Sequence, residues 1–308
     1  MKRITSTVAI SAALALSACK GGSAGSATKY IPDAAEFIGG VQLSKVVNEG
    51  GFKAEMDKAL AADDSAKEGF EAMKACNIDP YGMEQLVFGG TTKEDFAFVL
   101  VGAGVGKAEN ITCISGKIKE KEGGDKEPIT VDGTKLVMGD GDGSGWIVDD
   151  KTVVIASSGW ASTVEGLIGG KGTSAVDGGL KDAMALTDSG KHVWAAGKIP
   201  AEAAGQLGPA AGLTMAGMAM DLSGGGLGLA VKGKFADADK AKATADEANK
   251  QFEQVKPMAG MLGVPQGMVD SIKIEASGDT LSVTAKASKE DLEAVKKKLE
   301  EQGAMPGM

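Results

Sequence analysis

Chemistry in this chain has few places to reside: three cysteines, one histidine and one run of alternating Asp and Gly. In Asp140-Gly141-Asp142-Gly143-Ser144-Gly145-Trp146-Ile147, side-chain oxygens alternate with glycine before an apolar residue. A twelve-residue calcium loop begins this way, because the ion needs about six to eight oxygens at roughly 2.3–2.6 Å. Such a loop closes with a bidentate Glu at its last position, where this chain has Lys151. Asp-Gly repeats between strands are also what a tight turn requires. The run therefore reads as a hairpin turn, with a weak calcium site on Asp140, Asp142 and Ser144 as the alternative. Gly102-Ala103-Gly104-Val105-Gly106-Lys107 imitates a phosphate loop, but its glycine spacing is wrong. Ala108 also stands where Ser or Thr must follow the lysine. Gly21-Gly22-Ser23-Ala24-Gly25 satisfies a hydrolase elbow pattern, which works only on a strained strand-to-helix turn beside a positioned histidine. The sole histidine, His192, opens an expected strand next to Lys191, which suits a surface or half-buried position better than a catalytic base. One histidine also excludes histidine-rich zinc or iron sites. No catalytic set converges, so the chain reads as a non-enzyme without a cofactor.

Cys19 is distinguished by what precedes it. Met1-Lys2-Arg3 is a basic start, residues 4–15 are apolar or small, and Leu16-Ser17-Ala18-Cys19 closes the segment. This is the form of a secretion signal, too short to cross about 30 Å of hydrocarbon as a helix. The ending resembles a bacterial lipobox. The resemblance implies that Cys19 becomes the acylated (palmitate-bearing) first residue of a lipoprotein, with membrane lipid as its partner. Each buried methylene is worth about 0.8 kcal/mol, so the several acyl chains of such proteins make a permanent tether. Lys20, in place of an inner-membrane-retaining Asp, implies the outer membrane of the cell envelope, facing periplasm or cell surface. Residues 21–28 read as a flexible spacer. With Cys19 acylated, Cys76 and Cys113 remain. A leftover pair in an oxidising compartment bonds, and these two form no C-x-x-C.

Composition narrows the partners. The chain carries 33 Lys and Arg against 42 Asp and Glu, a net charge of −9. Loss of residues 1–18 removes Lys2 and Arg3 and no acid, leaving −11. An acidic chain without a basic run has no footprint for nucleic acid. It is also repelled by anionic surfaces, so the lipid and not the protein body holds it at a membrane. Aromatics are only 4% of residues, so Val, Leu, Ile, Met and Ala must fill the core. The stretch 203–222 is the nearest rival for a membrane span, but Gln206, Pro209 and Asp221 interrupt it.

The elements expected to position these residues recur twice in the same order. A strand at 37–43 precedes helices at 44–60 and 65–75 and a hairpin of 84–89 with 96–102. A helix from 107 to 115 follows, then a meander through 129–131, 135–138, 146–148 and 152–156, and a helix at 161–168. After a join near 169–177, the scheme repeats. It gives a strand at 193–197, a helix at 200–207, a hairpin of 213–222 with 227–235 and a long helix from Asp237 to Pro257. A hairpin of 271–276 with 280–285 comes next, and Ser288 with Asp291 forms a capping box for a last helix. Met215, Met218, Met220, Met258, Met261 and Met268 read as core, or as the lining of an adaptable apolar groove.

Hairpins demand antiparallel pairing and one-faced helices must cover a sheet, so the fold class is α+β with two similar antiparallel units. The divisions are a signal peptide at 1–18, lipidated Cys and spacer at 19–29, units at 30–170 and 171–303, and a disordered tail at 304–308. This architecture resembles duplicated α+β lipoproteins of Gram-negative bacteria, a likeness that carries no functional residue across. The expected role is a non-enzymatic structural or interaction module of the envelope. The competing role is a carrier for a lipid, peptide or other apolar ligand, which would require an apolar cavity.

Overall fold

The computed structural model describes residues 27–123, 127–139, 141–206, 208–261 and 263–301. The leader 1–18, Cys19, residues 20–26, Asp140 and the tail 304–308 lie outside the described residues. The Gly21–Gly25 pattern lies outside them too.

The first half runs β1 (Phe37–Val41), α1 (Leu43–Asn48), α2 (Lys53–Ala62) and α3 (Asp64–Ala75), then the hairpin β2 (Met83–Gly90) and β3 (Phe96–Gly102). It continues with α4 (Ala108–Glu122), β4 (Ile129–Asp132), β5 (Lys135–Met138), β6 (Gly143–Asp149), β7 (Thr152–Ser157) and α5 (Ala161–Ile168). The second half has α6 (Lys181–Met184), β8 (Val193–Lys198), α7 (Ala201–Gln206), β9 (Leu213–Asp221) and β10 (Leu227–Phe235). It ends with α8 (Ala238–Met261), α9 (Gln266–Asp270), β11 (Lys273–Ser277), β12 (Thr280–Ala287) and α10 (Lys289–Glu301).

The α+β class and the antiparallel pairing hold, and the two repeats are fused into one twelve-stranded sheet. Its order is β11-β12-β10-β9-β8-β1-β2-β3-β7-β6-β5-β4. Read outward from the middle, each half lays down its first three strands in sequence. Each then brings the last strand of its return, β7 or β12, beside the third. The join is β1 against β8, antiparallel, from Phe37 opposite Gly197 to Val41 opposite Val193. Pairing these two strands removes the open edge each half would otherwise expose.

Successive strand residues point to opposite faces, and the registers carry each face across the sheet. On the back, Val87, Val99, Val154, Trp146 and Trp194 pack with Ile31, Val164, Leu180 and Ala183 in one buried cluster. On the front, Leu136 and Val153 meet Ile111 of α4, Ile78 and Val105, with Met73 of α3 against them. Helices thus cover both faces of the first half. Cys76 and Cys113 are disulfide-bonded, tying the end of α3 to α4 with their Cα atoms 5.5 Å apart.

Local chemistry sets the boundaries. Gly51 has φ 71°, a left-handed conformation that favours glycine, and it splits the expected helix 44–60 into α1 and α2. Asp63 caps α3 by accepting from the amides of Ser65 and Ala66. The capping box forms in both directions: Ser288 N donates to Asp291 at 2.9 Å, and Asp291 N donates to Ser288 Oγ at 3.1 Å. Pro257, expected to end the long helix, lies inside α8. The proline forfeits one backbone bond and crowds one carbonyl. Its neighbours Val255 and Met258 are 53% and 51% exposed, so that turn can bend toward solvent without disturbing a packed face. Among the described residues, no helix is long and apolar enough to cross a membrane.

Candidate functional site

The front face carries several uncharged cross-strand rows. One cross-strand row reads Val283, Val231, Met218, Ala195, Gly39, Phe88, Phe98 and Ile155. The rows on either side hold Leu229, Met220, Val193, Val41, Leu86 and Leu100, and Gly233, Ala216, Gly197, Phe37, Gly90 and Phe96. None of these positions is charged. The back of the same second-half strands is different, with Lys198, Lys232, Lys234, Lys273, Glu275 and Lys286.

Glycines seat the aromatic rings. A Cβ built on Gly39 would stand 2.6 Å from the Phe88 ring, and one on Gly90 would stand 2.7 Å from the Phe37 ring. The tip of each ring therefore occupies the space over the glycine it pairs with, as aromatic side chains do when they cover strand glycines. Phe96 and Phe98 stand beside them, ring centroids 5.3 Å apart and tilted by 53°. Phe37, Phe96 and Phe98 remain 42%, 38% and 40% exposed, and Val231 37%. At about 200 Å² per phenylalanine, the three rings alone expose roughly 250 Å², approaching the size of functional patches on soluble proteins.

His192 does not sit at the surface; it is 2% exposed. Its Nδ1 accepts the Leu222 amide at 3.2 Å and lies 3.3 Å from an Asp221 oxygen. Nε2 has no hydrogen-bond partner and stands 3.8 Å from a Glu49 oxygen. Around it, first-half groups reach second-half backbone. Gln42 N donates to His192 O at 2.7 Å, and Lys45 Nζ donates to Gly190 O at 2.9 Å. The histidine is a seam residue, held by both repeats.

Beside it, Lys191 Nζ lies 2.6 Å from Asp221, and its hydrogen bond holds the Asp221 carboxyl far below the usual carboxylate range, with Ser223 assisting. A carboxyl depressed by folding stabilises above its unfolded pKa of about 4, and that contribution fades as pH falls through the folded value. Asp221 is 31% exposed, so solvent screens part of the effect. Asp221→Asn is expected to lower stability by about 1 kcal/mol at neutral pH. The deficit should shrink in strong acid; urea titrations at both pH values check it, and an equal deficit at both would refute the assignment.

The other candidate residues are placed as follows, where they are described. Gly102–Lys107 is the turn from β3 into α4; a Cβ on Gly106 would collide with the Asp149 carbonyl, so its glycine serves close packing. Asp142 precedes β6, while Ser144 lies within it, opposite Val137 and Ala156. Lys151, at the loop's closing position, is paired with Glu84 at 3.0 Å. Met215 packs toward the back cluster, whereas Met218 and Met220 belong to front rows, so these three do not line one groove. The phenylalanine strip is only faintly written in the sequence. Its signal was Phe96 and Phe98 two residues apart, together with Phe-Ile-Gly-Gly and Phe-Gly-Gly at 37–40 and 88–90.

Fold and site define an α+β protein built on one antiparallel sheet with exposed apolar side chains on its front. No family model and no curated sequence matches the chain. Among solved structures, crystal form III of TP0453 is similar with TM-score 0.49 and 8% identity, over 86% of this chain and 95% of that one. Crystal form I of TP0453 gives 0.46 and 10%, over 89% and 97%. No residue or role is transferred from either.

Proposed function

We propose that this chain is a lipid-anchored, non-enzymatic interaction module of the bacterial envelope, tethered through Cys19 and presenting the front of its sheet. The observation that supports it most is the uncharged strip of Phe37, Phe96, Phe98 and Val231, each more than a third exposed. A partner surface that fits it is itself apolar, because a charge docked there would lose its water and meet no counter-charge. The only histidine is buried and bonded to backbone, so it cannot reach a substrate as a proton shuttle. The carrier reading has less support. The recess between α2 and α3 sets the charged Lys53, Lys67, Lys74, Asp57 and Glu71 around Leu60, Ala61 and Phe70, which is not the apolar cavity a carrier requires.

A photo-cross-linking residue at position 98, compared with one at Lys232 on the back, tests the reading in intact cells. Cross-links to one discrete envelope partner from position 98 alone are expected. Cys19→Ser should release the protein from the membrane fraction and abolish those cross-links. Persistence of the serine variant in the envelope would remove the anchor, and equal labelling from both faces would remove the strip.

A further inference from the structure

His192 meets a carboxylate of each repeat. Its ring is 2% exposed, with Nδ1 3.3 Å from an Asp221 oxygen of β9 and Nε2 3.8 Å from a Glu49 oxygen at the end of α1. Nδ1 is also 3.2 Å from the Leu222 amide, whereas Nε2 has no hydrogen-bond partner. A neutral imidazole has one donor and one acceptor, and the cation donates from both nitrogens. Only the cation can engage both carboxylates at once.

The two carboxylates are held differently. Asp221 is fixed by Lys191 at 2.6 Å and by the Ser223 amide at 3.1 Å. Glu49 closes α1 through its backbone amide, and its side chain is 56% exposed. The turn beyond it rests on the second repeat, since a Cβ on Gly50 would stand 3.2 Å from the Leu222 Cβ. Left-handed Gly51 then swings the chain into α2. The part free to move is Glu49 with its turn.

Charge around the ring is one proton short of balance. α1 supplies Glu49 and Lys45, β9 supplies Asp221, and the approach to β8 supplies Asp188 and Lys191. Three carboxylates thus stand against two ammonium groups. A buried cation is tolerated where it is paired and hydrogen-bonded, which Glu49 and Asp221 together provide.

We propose that His192 is a pH-operated clasp across the seam. Its protonated ring binds Glu49 and Asp221 together and closes the 49–51 turn onto the second repeat; its neutral ring lets that turn go.

Proton NMR of the full chain follows this sole histidine directly. Between about pH 5.5 and 8, the ring Cε1 proton is expected to titrate once. The backbone amides of Glu49, Gly50 and Gly51 should shift with the same midpoint. Glu49→Gln, an exposed change that leaves the fold intact, should move the ring midpoint to lower pH and abolish the amide shifts. His192→Gln should leave those amides insensitive to pH over the same interval. A ring that stays neutral throughout, an unmoved midpoint in Glu49→Gln, or amide shifts that persist in His192→Gln would each overturn the proposal.

Discussion

Replacement of Trp194 by alanine is expected to cost about 3–5 kcal/mol, the range for truncating a buried large aromatic. The indole is 1% exposed and lies directly opposite Gly40 on one side and Ala219 on the other. A Cβ on Gly40 would stand 2.7 Å from the ring, so the indole fills the space that glycine leaves open. The row continues through Val87, Val99 and Val154 to Trp146, spanning the seam between the repeats. Indole Nε1 is buried without a hydrogen-bond partner, and its removal returns part of the loss. The lower half of the range is therefore expected. Gly40→Val probes the same contact from the other strand and should destabilise by about 1–3 kcal/mol through overpacking. Urea unfolding read by far-ultraviolet circular dichroism and by the remaining tryptophans should show both repeats losing structure together. A deficit below about 1 kcal/mol for Trp194→Ala would mean that the seam does not hold the sheet.

Opening the Cys76–Cys113 bond should lower stability by roughly 4 kcal/mol on the chain-entropy account, given its sequence separation of 37. For a chain of this size that corresponds to a fall in melting temperature of about 10 °C. The bond joins the last turn of α3 to α4, so its loss should act mainly there. Hydrogen exchange should rise across α3 and α4 in Cys76→Ser/Cys113→Ser, with β8 to β10 little changed. Equal melting temperatures with and without reductant would sink this expectation.

What could be read beforehand follows from where the controlling interactions lie. The hairpins, α5 and the Ser288–Asp291 cap depend on neighbours within a few residues, and alternation or capping spells them out. The disulfide was legible from cysteine number once Cys19 was assigned elsewhere. The short helices α6 and α9, of four and five residues, are too brief to show a helical period. The stretch 169–177 read as a join because of its glycines. Yet Ala175 is fully buried and its amide donates to Ile31 O at 2.8 Å, a partner far away in sequence. The burial of His192 is hidden for the same reason, because its bond to Leu222 comes from the next strand's end. The open strip is the clearest case. Leu100 and Phe98 lie on the same side of β3, and only the packing of α4 decides that Leu100 joins a core while Phe98 meets solvent.

The antiparallel meeting of β1 with β8 has the geometry by which two identical subunits would associate about a two-fold axis. Covalent continuity relieves such partners of the obligation to be alike. The four stacked or exposed phenylalanines belong to one repeat, and the lysine-rich reverse side belongs to the other. A symmetric assembly would have to carry both traits twice; a single polypeptide can assign contact to one lobe and solubility to its twin.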